Sequence, residues 1–133
     1  MMTSEPERAH PLEGMRILVA DDEFLIATMI EETFRDAGAE IVSAATLAQA
    51  LQATEASGLS AAVLDVRLGR QTTEAVADVL ASRNIPFVFC SGQALPETIR
   101  SKHPAARLLT KPVRLAAFVG AILAALEDGA TAG

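Results

Sequence analysis

The sequence predicts an α/β protein built on an open, doubly wound parallel sheet of five strands with helices on both faces. From Met15 onward, short runs rich in β-branched residues alternate with longer segments of helical periodicity, the pattern of parallel strands joined by crossover helices. Five such units can be counted, whereas a closed barrel of this type needs several more. The count favours the open sheet, in which ligands bind outside the carboxyl ends of the strands.

The predicted strands are short; two of the five are apolar throughout and a third is apolar after its first residue, as expected for strands covered on both faces. Each is followed by a segment long enough for a helix that returns the chain to the same edge of the sheet. The five strands are Arg16 to Ala20, Glu40 to Ser43, Ala61 to Leu64, Phe87 to Cys90, and Arg107 to Leu109.

Apolar spacing and end signals support the five predicted helices. In the first, Glu23 to Ala37, apolar side chains recur at i, i+4 spacing, and Gly38 follows as a stop signal. Thr46 is a plausible N-cap for the second helix, which ends before Gly58. The other helices are expected at about Thr73 to Arg83, from near Pro96, and from about Val113.

Length and composition describe one soluble domain. The chain has 133 residues, half of them hydrophobic, with a formal net charge of −6. We expect residues 1–13 and 128–133 to be flexible tails around a domain at residues 14–127, with no output domain.

The same features exclude several classes of protein. The chain has no run of Lys or Arg, which argues against direct nucleic-acid binding. The longest apolar run, Leu115 to Leu126, is about half the roughly 20 residues that a membrane span requires. The lone Cys90 fits a reducing compartment, and the polar N-terminus does not resemble a signal peptide, so we expect a cytoplasmic protein.

Chemically active side chains follow four of the five predicted strands. Asp21 and Asp22 follow the first strand, Asp65 the third, Ser91 the fourth and Lys111 the fifth. Each has an ordinary explanation, since Asp22 could cap a helix, Asp65 and Ser91 could belong to turns, and Lys111 could be solvated. If the first, third, fourth and fifth strands are neighbours, however, all these groups meet in one crevice. These separate explanations are a weak account of why all these groups follow strand ends that meet at one place.

Carboxylates that share a crevice repel each other and have raised pKa values unless a cation neutralises them. Oxygen donors without histidine or thiolate neighbours suit Mg²⁺. A carboxylate beside such an ion can attack a phosphoryl group to form an aspartyl phosphate, while a hydroxyl and an ammonium group bind the phosphoryl oxygens. Asp65, Ser91 and Lys111 carry these functional groups.

This ordered set of residues resembles the receiver domain of the two-component response-regulator family. The resemblance covers residues 15–127 and rests on the Asp21-Asp22 pair, Asp65, Ser91 and the Lys111-Pro112 dipeptide, each directly after its strand. It implies a flavodoxin-like fold with strand order 2-1-3-4-5.

The resemblance also implies a role for each residue of the set. Asp65 is the expected phosphoacceptor, and Mg²⁺ is expected to be held by Asp22, Asp65 and the backbone carbonyl of Arg67. Asp21 is expected to reach the metal mostly through water. Ser91 is expected to bond the phosphoryl group, and Lys111 to neutralise it.

Some positions depart from the common family pattern. Leu108 stands where the family often has an aromatic switch residue, and the loop after Asp65 has Gly69 but lacks the proline and later glycine frequent in the family. Arg67 and Gln93 occupy positions that modulate hydrolysis of the acyl phosphate in the family. A guanidinium group at Arg67 is expected to shield the phosphoryl group and alter its lifetime.

The resemblance implies phosphorylation by a histidine kinase or a histidine phosphotransfer protein. Because few residues follow the fifth helix, we expect a stand-alone response regulator, not an enzyme beyond its own phosphorylation and dephosphorylation. It would signal through phosphorylation-dependent binding of a downstream protein or through a phosphorelay. The fifth helix is more apolar than one buried face requires, which suggests a homodimer surface on the fourth helix, fifth strand and fifth helix. Its alanines could instead simply be good helix formers.

Two other functions are consistent with parts of the pattern. One is a phosphorylation-independent interaction module that keeps the acidic crevice without using it. The other is a small aspartyl-phosphate phosphatase, a class whose nucleophile follows the first strand, with a second Asp two residues later. Glu23 occupies that second position here, so the phosphatase pattern fits poorly.

Overall fold

A five-stranded parallel sheet forms the centre of the computed structural model, which describes residues 10–56 and 58–132. Its strands are β1 (Arg16–Ala20), β2 (Glu40–Ala44), β3 (Ala61–Asp65), β6 (Phe87–Ser91) and β7 (Arg107–Thr110). They lie in the order β2-β1-β3-β6-β7 and every neighbouring pair is parallel. Counting these five strands alone, this is the order 2-1-3-4-5, so the predicted fold class is confirmed.

A small antiparallel hairpin, which the sequence analysis did not predict, follows β3. Its strands are β4 (Arg67–Leu68) and β5 (Gln71–Thr72). Gly69 lies between them with φ of +63°, a conformation that favours glycine. The hairpin occupies the loop whose sequence departs from the common family pattern.

Five helices cover the sheet, α1 and α5 on one face and α2, α3 and α4 on the other. Thr46 caps α2 as predicted, because its Oγ1 accepts a hydrogen bond from the backbone N–H of Gln49 at 3.1 Å. Gly38 follows α1 with φ of +100°, as expected for a helix stop. The helices are α1 (Phe24–Asp36), α2 (Leu47–Ala53), α3 (Glu74–Ser82), α4 (Glu97–Lys102) and α5 (Leu115–Ala132).

Alternation along the strands divides the core into two layers. Ile17 and Val19 of β1 face the layer under α1 and α5, whereas Leu18 faces the layer under α2, α3 and α4. Every residue of β3 is buried, because both faces of this central strand are covered. Each layer also contains an edge-to-face phenylalanine pair: Phe34 with Phe118 in the first layer and Phe87 with Phe89 in the second.

Residues near both ends of the described chain contact the rest of the domain. Leu12 is fully buried, and its N–H donates to the carbonyl of Ala37 at 2.8 Å, while residues 1–9 lie outside the described residues. At the other end, α5 continues to Ala132 through most of residues 128–133. An ion pair between Asp128 and Arg107 of β7, at 2.5 Å, ties this part of α5 to the sheet.

The apolar stripe of α1 is wider than the face it buries. Ile30 and Phe34 are buried against the sheet. Phe24, Leu25 and Met29 are 79%, 74% and 49% exposed.

Nowhere in residues 10–56 and 58–132 does a helix combine the length and apolar character needed to cross a bilayer.

Candidate functional site

Three aspartates meet at the carboxyl edge of the sheet. Asp21 follows β1 and Asp65 ends β3, and because Ala20 and Leu64 are register partners, these two aspartates lie side by side. One carboxylate oxygen from each of Asp21, Asp22 and Asp65 lies within 4.8 Å of the others. Asp21 and Asp65 are buried, with 5% and 8% exposure, whereas Asp22 is exposed.

The environment of Asp21 disfavours its negative charge. Burial raises the pKa of its carboxyl group to about 6, and the neighbouring Asp65 adds to this rise. The N–H of Glu23, which donates to Asp21 Oδ1 at 2.9 Å, works in the opposite direction. A cation among these carboxylates would relieve the repulsion, and a set of oxygen donors alone fits a hard ion such as Mg²⁺.

Lys111 supplies a positive charge to the same cluster. Its Nζ donates to Asp65 Oδ2 at 3.1 Å and lies 3.8 Å from Oε1 of Glu23. Lys111 directly follows β7, and its backbone N–H is anchored by the carbonyl of Ser91 at 2.8 Å. Burial opposes the charge on Lys111, but the hydrogen bond to Asp65 and the surrounding carboxylates raise its pKa above the usual value.

Ser91 ends β6, one residue beyond Cys90, which is the register partner of Asp65 in the adjacent strand β3. Its Oγ accepts a hydrogen bond from the backbone N–H of Gln93 at 3.1 Å. The two residues therefore form one local turn at the rim of the site. Leu108 on β7 is partly buried and packs against the core layer that contains Phe89, its register partner.

The β4–β5 hairpin approaches the acidic cluster with its backbone. The N–H of Gly69 donates to Asp22 Oδ2 at 2.8 Å, and the N–H of Arg67 makes a longer contact with Asp65 Oδ1 at 3.4 Å. The Arg67 side chain is exposed. The hairpin therefore joins two of the three aspartates through main-chain donors, a connection that the sequence analysis missed.

Thr73, between the hairpin and α3, is a second feature that the sequence analysis missed. Its side chain is fully buried, and its Oγ1 donates to the backbone carbonyl of Asp65 at 2.9 Å. The sequence indicated Thr73 only as the start of a helix. A threonine at such a position normally signals a cap, so the available signal pointed to a different role.

An apolar surface lies next to the acidic cluster. A cavity of about 410 Å³ lies between α1 and the start of α5. Its lining includes Ile26, Met29, Cys90 and Phe118, and also Lys111 of the acidic cluster. Burial raises the pKa of the Cys90 thiol to about 11, so the thiol stays protonated and packs as a small buried hydrophobe.

Comparison with known proteins agrees with this geometry. A family model described as the response regulator receiver domain matches residues 17–123. Nodulation protein W of Bradyrhizobium diazoefficiens is 32% identical over 115 residues, which is 84% of this chain and 51% of that protein. The chain thus spans about half the length of this curated relative.

Solved structures give the same architecture. A response regulator receiver domain protein from Methanospirillum hungatei has a TM-score of 0.78 at 22% identity, covering 90% of this chain and 98% of that one. A response regulator receiver protein from Sinorhizobium medicae has a TM-score of 0.77 at 27% identity, covering 89% of this chain and 98% of that one. At 22% identity the first likeness shows the fold alone.

Proposed function

Since this chain belongs to the response regulator receiver domain family, we propose that it is a phosphorylation switch whose phosphoacceptor is Asp65. The observation that supports this most directly is the position of the Asp65 carboxylate. The ammonium group of Lys111 contacts one of its oxygens, and Asp21 and Asp22 approach from the neighbouring strand. A carboxylate between a fixed cation and further carboxylates suits a metal-assisted nucleophile.

Each residue of the site has a part in the proposed reaction. An Asp65 oxygen forms a bond to the phosphorus of a phosphohistidine on the donor protein. The bond from phosphorus to the histidine nitrogen breaks, and its electron pair stays on that nitrogen. Ser91 and Lys111 bind phosphoryl oxygens. Asp22, Asp65 and the backbone carbonyl of Arg67 would hold Mg²⁺, with Asp21 acting through water. The ion would neutralise charge on the carboxylates and the transferring group.

The donor in this proposal is a histidine kinase or a histidine phosphotransfer protein. Such a donor must bring a phosphohistidine to Asp65, so it needs a surface beside the site. The exposed side chains of Phe24, Leu25 and Met29 offer such a surface, next to the apolar cavity at Lys111. Clustered exposed apolar residues of this kind are typical of protein interaction sites.

The output of the switch is proposed to be phosphorylation-dependent binding of a downstream protein or transfer of the phosphoryl group onward. Homodimerisation through the face formed by α4, β7 and α5 is a second proposed interaction. We propose that Leu108 repacks when Ser91 engages the phosphoryl group, and that Arg67 and Gln93 set the lifetime of the acyl phosphate.

The proposed compartment is the cytoplasm, where a single buried thiol stays reduced.

The central test is chemical phosphorylation with Mg²⁺ and a small phosphodonor such as acetyl phosphate. We expect a hydroxylamine-labile phosphoryl adduct in the wild-type protein and none in Asp65→Asn. Asp36→Asn, which changes an exposed aspartate at the end of α1, is the matched control and should be phosphorylated normally.

Two results would replace the proposal. The absence of any adduct in the folded wild-type protein would favour the phosphorylation-independent interaction module. Rapid release of phosphate over many turnovers, dependent on Asp21 rather than Asp65, would favour the phosphatase.

The donor surface has a separate test. Leu25→Asp should slow phosphorylation by a phosphohistidine protein by about 10-fold, the loss expected for a central apolar contact of an interface. Its phosphorylation by the small phosphodonor should match that of the wild type. Equal slowing with both donors would place the effect in the site itself and remove Leu25 from the donor surface.

A further inference from the structure

We propose that Thr73 is a positioning residue for the phosphoacceptor, acting through the backbone of Asp65 and the hairpin that follows it. This inference rests on the function proposed above. Thr73 is fully buried between the end of β3 and the start of α3, and its Oγ1 donates to the carbonyl of Asp65 at 2.9 Å. Thr73 does not touch the reacting carboxylate, so its effect is indirect.

The hydrogen bonds of Thr73 differ from those of an ordinary helix cap. A capping threonine accepts a bond from an N–H in the first turn of its own helix, which typically stabilises the helix by about 1 kcal/mol. Thr73 makes no such side-chain bond. Its hydroxyl donates to the carbonyl of Asp65 at 2.9 Å and makes a longer contact with the carbonyl of Val66 at 3.4 Å. Its N–H donates to the same Val66 carbonyl at 2.9 Å. The two bonds of 2.9 Å join α3 to the end of β3.

These two bonds close a short loop that includes the β4–β5 hairpin. Between its fixed ends, the N–H of Arg67 contacts Asp65 Oδ1 at 3.4 Å and the N–H of Gly69 donates to Asp22 Oδ2 at 2.8 Å. The backbone that Thr73 anchors therefore carries the donors that orient both carboxylates. The Arg67 carbonyl, proposed above as a metal ligand, belongs to the same loop.

Removal of the hydroxyl would weaken the anchoring of this loop, leaving only the backbone bond to Val66, without altering any group that contacts a phosphoryl donor. The carbonyl of Asp65 would lose its side-chain partner in a buried position, which costs stability. The two carboxylates would then be held less firmly. Outer residues that orient metal ligands typically change metal affinity or activity by about 10- to 100-fold when removed.

The test compares Thr73→Val, which removes the hydroxyl while keeping the shape, with Thr73→Ser, which keeps the hydroxyl. The matched control is Thr54→Val, because Thr54 is also buried and its hydroxyl donates to a backbone carbonyl, that of Leu51 at 2.6 Å, at the end of α2. For each protein we would measure Mg²⁺ affinity by calorimetry, phosphorylation rate with acetyl phosphate, amide exchange at Gly69 and free energy of unfolding.

The expected result is about 10-fold weaker Mg²⁺ binding and about 10-fold slower phosphorylation in Thr73→Val, with faster exchange of the Gly69 amide. Thr73→Ser should recover most of each value. Thr54→Val should lose stability and leave all three site measurements at the wild-type level. If Thr73→Val does not fold, Thr73→Ala provides the same loss of the hydroxyl.

The proposal is overturned if Thr73→Val binds Mg²⁺ and reacts within twofold of Thr54→Val. It is also overturned if Thr73→Ser is as impaired as Thr73→Val. A wild-type protein that binds Mg²⁺ but forms no adduct would contradict the proposed function instead. In that case Mg²⁺ affinity and Gly69 exchange still decide whether Thr73 positions the carboxylates.

Discussion

The ammonium nitrogen of Lys111 lies 3.1 Å from Oδ2 of Asp65, although the two residues are 46 positions apart in the chain. The contact exists because β3 and β7 both end at the same edge of the sheet, with β6 between them. Burial works against the charge on Lys111, and the carboxylates around it more than offset that effect on its pKa. The lysine is thus held charged beside the proposed phosphoacceptor.

Replacing Lys111 with methionine should slow phosphorylation of Asp65 by a small phosphodonor by at least about 10-fold. The physical reason is the loss of a charge-assisted hydrogen bond, typically about 1.5 to 3 kcal/mol. Lys102→Met is the matched control, since Lys102 is an ion-paired lysine of α4. Rates are measured from adduct formation at saturating Mg²⁺. Equal rates in the two variants would contradict a role for Lys111.

In the metal-free protein, the contribution of Asp21 to the free energy of unfolding should fall as pH rises from about 4 to about 6, the interval between the usual carboxyl pKa and that of Asp21. In this interval the folded protein holds a proton on Asp21 that the unfolded chain has lost. The decrease should reach up to about 3 kcal/mol, and Asp21→Asn should remove it. Urea unfolding with a chelator present measures both proteins. Stability that rises with pH and does not depend on Asp21 would refute this prediction.

Arg67→Ala should shorten the lifetime of the aspartyl phosphate by several-fold. Arg67 lies two residues past Asp65 at the exposed position of hairpin strand β4, where its guanidinium group can shield the phosphoryl group from water. Arg70→Ala, in the turn of the same hairpin, is the matched control because it removes an exposed arginine nearby. Loss of the adduct is followed after removal of the phosphodonor. An unchanged rate in Arg67→Ala would show that the side chain does not act on hydrolysis.

Leu12→Ala should lower the free energy of unfolding by about 2 to 4 kcal/mol, the usual cost of truncating a buried leucine. Leu12 is fully buried in the layer under α1 and α5. Leu25→Ala, at a position 74% exposed, should change stability little. Urea unfolding of the two variants provides the comparison. A small effect at Leu12 would mean that its packing contributes little to the fold.

The sequence predicted the five main strands because each is a short run rich in apolar or β-branched residues between segments of helical period. It also predicted that Asp21 and Asp65 would meet, because parallel strands end at one edge of a sheet. Leu12 was missed because a single apolar residue between prolines and charges has no periodicity. The hairpin at Gly69 was missed for a related reason, since strands of two residues are too short to show a pattern.

The hydrogen bond from Thr73 to Asp65 could not be predicted from local sequence at all. A threonine at a helix start has two partners available, its own first turn or a neighbouring strand. The choice depends on the distance from α3 to β3, which only the assembled fold determines. Contacts of Lys111 were easier to predict because the carboxyl ends of the parallel strands meet at one edge of the sheet.

The phenylalanine pairs described above make the two faces of the sheet separately observable. The chain has five phenylalanines and neither tryptophan nor tyrosine. Phe34 and Phe118 report on one layer, Phe87 and Phe89 on the other, and Phe24 on the surface beside the site. Fluorinated phenylalanine would therefore place two NMR reporters in each layer and one at the donor surface. A single labelled sample could then reveal which layer responds first when Asp65 is phosphorylated.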